Sequence, residues 1–316
     1  MSNLIFAEHR DGTLRKGAFE LVSAARELGG TVTALLTGSG AGSAASQLAP
    51  LVDSVLVAEN VAAGNHDATL TALAAAQAEA AAARVLLSAN RAGQALAPRL
   101  AVRLDAAYLE DVSSLSAGDT VKATRLSYLS RVTETVETSA ERVVISIKPN
   151  TWAAAAAGGG AGQISELAVE PGPNDGRVQS GGAEKAAGGQ VSLAEAATVV
   201  AGGRGLGSAE AFTQLVEPLA AQLGAGIGST RAVVDAGWRP FAEQVGQTGK
   251  TVSPALYIAL GISGAVQHLS GMNRSKTIVT VNRDADAPLF RISDYGIVGN
   301  AEEIVPEIIA ALKELD

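Results

Sequence analysis

Short apolar runs alternate with helical stretches between residues 3 and 103, and this alternation restricts the possible folds more than any other feature. Residues 4–8, 31–36, 54–57 and 84–88 read as strands. Residues 12–28 read as an amphipathic helix, 43–48 as a short one, 67–83 as a long alanine-rich one and 91–103 as a fourth. Strands and helices in such order predict a parallel sheet covered by helices. Gly38 and Gly40 follow one strand, where a glycine turn can admit a nucleotide; they read as ordinary β–α turns. His9 and His66 stand alone, without partners at metal-ligand spacing, and read as surface or loop histidines.

Between residues 111 and 148 the period moves toward two. Strands are expected over 121–126, 130–137 and 143–147, as an antiparallel extension of the first sheet. Arg125, Tyr128 and Arg131 form either a basic–aromatic patch for a partner or, the favoured reading, the solvent face of a half-exposed sheet. Residues 153–162 and 172–189 are rich in Ala and Gly and read as flexible loop or linker. Val169-Glu170 between them reads as a last strand. With 316 residues, two domains are the natural expectation, 1–190 and 191–316.

The second half is dominated by glycine. Residues 193–200 read as a helix then a strand, or as one buried strand, and lead into Gly202-Gly203-Arg204-Gly205-Leu206-Gly207-Ser208 before a helix over 209–223. The spacing is Gly-x-Gly-x-Gly and misses the dinucleotide fingerprint. Three further glycine-rich turns are expected at Gly-Ala-Gly-Ile-Gly-Ser-Thr-Arg (224–231), Gln-Val-Gly-Gln-Thr-Gly-Lys (244–250) and within 256–271. There, residues 256–262 read as a buried strand, and Ser263-Gly264 opens a short helix ending near Gly271. Backbone N–H groups and hydroxyls in such turns suit phosphate or heterocycle edges. Arg204, Arg231 and Lys250 would make the region cationic inside a chain of net charge −8. Beyond Asn282, a strand is expected over 289–292, a strand with a turn over 294–299, and an amphipathic helix over 301–315. By spacing, the implied ligand is a nucleotide cofactor.

Composition removes several alternatives. The acidic balance disfavours nucleic acid and anionic membrane surfaces as partners. The absence of cysteine excludes disulfides and thiolate-held metals. No apolar run reaches the length of a membrane-spanning helix, and a strand beginning near Met1 leaves no room for a leader, so a soluble cytoplasmic protein is expected. No Ser/His/Asp arrangement stands out.

The run 256–282, with Gln267-His268 and the closing Thr-Ile-Val-Thr-Val-Asn, resembles electron-transfer flavoprotein α-subunits. Gly203-Arg204-Gly205, residues 230–237, residues 244–250 and Asp294-Tyr295-Gly296 resemble that family in the same order, as do Ile5-Phe6-Ala7-Glu8 and Lys148-Pro149-Asn150 more loosely. The resemblance implies an α/β fold of two domains. The first is a nucleotide-binding-like scaffold without its own cofactor, and the second is a doubly wound parallel-sheet domain binding FAD. It implies Arg231 beside the isoalloxazine, Thr248 near N5 and His268 donating near the C2 carbonyl. Thr230, Gln247, Ser263, Gly264 and Gln267 would hold the ribityl–pyrophosphate region, with Gly249 in the same turn and Arg204 adding charge. Asn282 and Asn300 would reach the adenosine end. The family commonly has serine where Thr230 stands and aspartate where Asn300 stands.

The resemblance further implies a β-subunit partner, one FAD per heterodimer and AMP on that partner. Electrons would arrive from flavin dehydrogenases, such as those of acyl-CoA, and leave singly, through a stabilised semiquinone, for a membrane quinone oxidoreductase. Three alternatives stay open: a stand-alone FAD or NAD oxidoreductase, the α-subunit of an electron-bifurcating system, and a nucleotide-binding structural module.

Overall fold

A computed structural model of the chain describes every residue except 63, 129–131, 157–161, 179–192, 194–195 and 316. It contains two compact units, Met1–Glu184 and Lys185–Asp316, each with its own sheet and core.

The first unit opens with β1 (Ser2–Phe6) and a small hairpin, β2 (His9–Arg10) and β3 (Thr13–Leu14). There follow α1 (Lys16–Glu27), β4 (Thr31–Thr37), α2 (Ala41–Leu48), β5 (Ser54–Ala58), α3 (His66–Glu79), β6 (Arg84–Ser88) and α4 (Arg91–Leu104). The unit is completed by β7 (Ala107–Ala117), β8 (Val121–Ser127), β9 (Val132–Thr138), β10 (Val143–Ile147) and β11 (Gln163–Glu166). In space the strands run β11-β5-β4-β1-β6-β10-β7-β8-β9, parallel from β11 to β7 and antiparallel beyond. Successive side chains point to opposite faces. Ile5, Ala34, Leu36 and Ile145 therefore join the core with α1 and α2, while Leu4, Leu35, Leu87 and Val144 join the one with α3 and α4.

Several expectations for this unit are corrected. The helix expected from residue 12 starts at Lys16, because the β2–β3 hairpin takes the residues before it and Arg15 N bonds Glu8 O at 3.0 Å. The alanine-rich α3 ends at Glu79, where Ala81 turns to a φ of 45° and Ala82 N closes on Gln77 O at 3.0 Å. β10 is not part of the antiparallel extension. It lies between β6 and β7, parallel to both, and all five of its residues are buried, as a run covered on both faces requires. Sequence reasoning missed β7 altogether. Val169-Glu170 is not a strand; Val169 is buried and its carbonyl accepts from Asn60 Nδ2 at 3.1 Å.

The beginning of the expected linker, residues 172–178, is tied to the start of α3, since Asn65 Nδ2 donates to Asp175 O at 2.6 Å and Val178 O at 3.2 Å. Arg125 pairs with Glu134 at 2.8 Å on the solvent face, and Tyr128 is exposed. His9 Nε2 bonds Thr37 O at 3.0 Å, and His66 begins α3. Arg131, Ser130, residues 157–161 and 179–189 of the low-complexity stretches, and the boundary at 190 lie outside the described residues.

The second unit comprises β12 (Thr198–Gly202), α5 (Ala209–Gln222), β13 (Gly226–Ser229), α6 (Arg231–Asp235), β14 (Leu256–Leu260), α7 (Val266–Leu269), β15 (Thr277–Asn282), β16 (Tyr295–Val298) and α8 (Ala301–Leu315). Its sheet is wholly parallel, in the order β13-β12-β14-β15-β16. Val200, Ile258, Leu260 and Val281 pack with Phe212, Val216 and Leu219 of α5 and Val305 of α8. On the other face Val199, Ala201, Tyr257 and Ile278 pack with Val245, Val252, Met272 and Leu289.

Three expectations change here. Residues 226–229 are edge strand β13 rather than a turn, because β12 pairs with them residue for residue. The strand expected over 289–292 is a single 3-10 turn, Pro288–Ile292, begun by its proline. Strand β14 stops at Leu260, and α7 starts at Val266 rather than at Ser263. No described helix is long and apolar enough to cross a membrane.

Candidate functional site

In the second sheet the strand first in sequence, β12, is flanked by β13 and β14, so the chain leaves it in one direction and returns on the other side. Ligands of open parallel sheets lie at the carboxyl ends beside such a reversal. The loops after β12 and β14 meet there: Gly203 N donates to Leu260 O at 2.8 Å and Gly205 N to Gly261 O at 3.0 Å. A Cβ on Gly203 would stand 2.3 Å from Gly261 O, so the contact requires glycine. Gly264 takes a φ of 88°, and a Cβ there would stand 2.5 Å from Leu289 N. The turn it forms leaves the N–H groups of residues 264–267 without a hydrogen bond to any described residue. The side chains of Ser263 and Gln267 on this turn are exposed.

The loop over 244–250 is stitched to both neighbours through its backbone. Val245 N bonds Ser229 O at 2.9 Å, and Gln247 N bonds Gln267 O at 2.8 Å. Gln244 is buried and its Nε2 donates to Thr248 Oγ1 at 2.9 Å, while the Gln247 and Thr248 side chains are exposed. The loop's entry is clamped by Arg239. Its Nε and Nη2 donate to the two carboxylate oxygens of Glu243 at 2.7 and 2.9 Å, Nη1 reaches Glu217, and the guanidinium lies 5.1 Å from the Phe212 ring centre. A paired, hydrogen-bonded cation is the form in which a buried charge is tolerated.

His268, expected to donate near the C2 carbonyl of a flavin, is hydrogen-bonded inside the fold. Its ring is 5% exposed, with Nδ1 at 3.1 Å from Val245 O and Nε2 at 2.9 Å from Tyr257 Oη. A carbonyl can only accept, so Nδ1 carries the proton and Nε2 accepts from the tyrosine. Burial pushes the imidazole down to about 4 and the Tyr257 phenol well above its ordinary value, so both are neutral. Ring donation to a flavin carbonyl would require breaking one of these two bonds. The physical reason is local: Tyr257 is fully buried on β14 and has a hydroxyl to satisfy.

At the end of β13, the Ser229 and Thr230 hydroxyl oxygens are buried with no hydrogen-bond partner among the described residues. Arg231 begins α6, is exposed, and has Asp235 at 3.3 Å. Arg204 follows the paired strand end of β12 and is exposed, with no ion pair among the described residues. Asn282, at the end of β15, is buried and committed: Nδ2 donates to Ile262 O at 2.9 Å and Oδ1 accepts from Asp284 N at 3.0 Å. Both bonds fix the turn that follows β15. Asn300 is exposed, and its backbone carbonyl accepts from Ile304 N at the start of α8. Asn282 and Asn300 line one small cleft with Gly205, Gly261, Arg283 and Gly299. Arg283, Gln244 and Ser229 were not assigned roles from the sequence; of these Gln244 and Ser229, each within a recognised glycine-rich turn, carried a signal.

The site residues fit a flavin nucleotide. Unbonded N–H groups at 264–267, two orphaned buried hydroxyls and exposed Arg204 and Arg231 form a donor-rich, cationic set such as a pyrophosphate and a heterocycle edge engage. Fold and site together define a doubly wound α/β protein that binds a nucleotide cofactor. Residues 192–273 match the family described as electron transfer flavoprotein FAD-binding domain, and residues 3–171 match the electron transfer flavoprotein domain. The chain is 40% identical to the electron transfer flavoprotein subunit alpha of Bradyrhizobium diazoefficiens, across 100% of this chain and 99% of that one. It is 39% identical to the subunit alpha of Mycobacterium leprae, across 98% of each chain. It is also 37% identical to a probable mitochondrial subunit alpha of Caenorhabditis elegans, across 98% of this chain and 93% of that one. The chain belongs to the electron transfer flavoprotein α-subunit family.

Proposed function

We propose that the chain is an electron carrier without a metabolite substrate of its own, acting in the cytoplasm as one half of a heterodimer. Residues 191–316 hold one FAD, residues 1–190 face a β-subunit, and AMP sits on that partner. Electrons come from flavin dehydrogenases and pass singly to a quinone oxidoreductase of the membrane. The observation that carries this reading is the convergence of uncommitted donors at the carboxyl ends of β12, β13 and β14.

A bound flavin supplies chemistry that accepts two electrons and releases them one at a time. The chain's own groups set how readily that happens. Arg231 places a fixed positive charge beside the ring, and Thr248 offers a hydroxyl to its N5 edge. Thr230, Ser263, Gly264, Gln267, Gln247 and Gly249 hold the ribityl–pyrophosphate portion, with Arg204 opposing its charge. Asn300, with Asn282 shaping the floor, borders the adenosine end. His268 supports the pocket from the core, through Tyr257 and Val245.

An absorption spectrum of the chain co-expressed with its β-subunit, followed by stepwise reduction, tests the proposal. A flavin spectrum with one FAD per heterodimer is expected. A colourless heterodimer, or turnover of a small metabolite by the chain alone, overturns it.

A further inference from the structure

We propose that Gln244 is a positioning residue that fixes the polarity of the Thr248 hydroxyl, so that Thr248 turns its proton, and not a lone pair, toward the flavin. This rests on the cofactor reading given under Proposed function. Gln244 is 3% exposed, and its backbone is pinned on both sides: its N–H donates to Phe241 O at 3.0 Å and its carbonyl accepts from Lys250 N at 2.7 Å. The adjoining Glu243 is locked by the bidentate Arg239. From this fixed base the side-chain Nε2 donates to Thr248 Oγ1 at 2.9 Å.

A hydroxyl oxygen that accepts one hydrogen bond keeps its own proton to donate. Thr248 is exposed, and its proton has no acceptor among the described residues. Gly249 belongs to the same device. A Cβ there would stand 2.3 Å from the Gln244 carbonyl oxygen and 2.9 Å from its Cγ, so the loop folds over the amide only with glycine at that position. Adding an electron to a flavin places negative charge on the ring; a donor at its edge stabilises that charge and a lone pair opposes it. Gln244 thus determines the sign of what Thr248 contributes, without touching the cofactor.

The test uses the full chain assembled with its β-subunit, in the variants Gln244→Glu, Thr248→Val and the two combined. The readouts are FAD content and the one-electron potential of the bound flavin. A carboxylate only accepts, so in Gln244→Glu the Thr248 proton turns inward and a lone pair faces the ring. The potential is expected to fall by more when Gln244→Glu is made in the wild type than when it is made in Thr248→Val. Equal falls in the two backgrounds overturn the proposal, because the added charge then acts alone. Gln244→Met, which carries no charge and fits the same buried space, gives a parallel cycle. It should weaken FAD binding about three- to tenfold in the wild type, the scale of one hydrogen bond, and much less in Thr248→Val. An equal loss in both backgrounds again overturns it. A wild-type heterodimer without flavin removes the cofactor reading itself; a flavin-loaded wild type with additive variants removes only the role of Gln244.

Discussion

His268 is buried as a neutral ring, and this has a consequence for stability. Its ordinary pKa of 6.5 drops to about 4 through desolvation. Between those values the unfolded chain binds a proton that the folded chain does not, so stability declines as pH falls from about 6.5 to 4. The decline approaches about 3 kcal/mol at the lower end. Urea unfolding of wild type and His268→Gln at pH 7 and pH 5 measures it: the wild type should lose more stability than the variant on acidification, and identical losses would contradict the buried neutral ring. Arg239 makes the opposite kind of contribution, a charge held by two carboxylates. Arg239→Met strands buried Glu243 and should cost about 3 kcal/mol, whereas adding Glu243→Leu should restore much of it, since a well-packed apolar pair can replace a buried ion pair. Denaturant midpoints of the single and double variants decide between these outcomes.

At the scale of elements, the site is made by turns that stop strands early. β14 ends at Leu260 and α7 begins only at Val266, and the unbonded N–H groups of 264–267 lie in the intervening turn and the first two residues of α7. Gly264 makes that geometry possible. Gly264→Ala adds a left-handed non-glycine residue and a collision with the Leu289 backbone, and should cost about 1–3 kcal/mol. Because the strain falls on the donor turn, FAD content should drop together with the thermal midpoint; full FAD occupancy at an unchanged midpoint would show that the turn is not constrained. Elements were legible in the sequence where one influence dominated. The apolar run of β6 was found at its true ends, and the amphipathic α8 likewise. The glycine-rich Gly226–Ser229 read as a turn because its strand character comes from pairing with β12, not from side chains that favour strands.

At the scale of the whole molecule, each unit has a sheet whose central parallel strands are buried on both faces, and those strands should open last. Amide hydrogen exchange is expected to be slowest in β1, β4, β6 and β10 of the first unit and in β12 and β14 of the second. The antiparallel β8 and β9, largely half-buried or exposed, and the edge strand β16, exposed along its length, should exchange faster. Slow exchange in β16 of the isolated chain, equal to that in β14, would refute this ordering.

The sequence by itself determined the α/β class, the two-part organisation as an expectation and the glycine turns that mark the site, because strand–helix alternation and turn-forming residues are local properties. Only the tertiary structure decided that β10 sits inside the first sheet, that the Asn282 amide and the His268 ring are spent internally, and that Gln244 addresses Thr248. Each of those outcomes depends on which buried polar group finds which partner across the fold, and hydrogen-bond satisfaction between residues far apart or folded back on a loop has no periodicity to read along a chain.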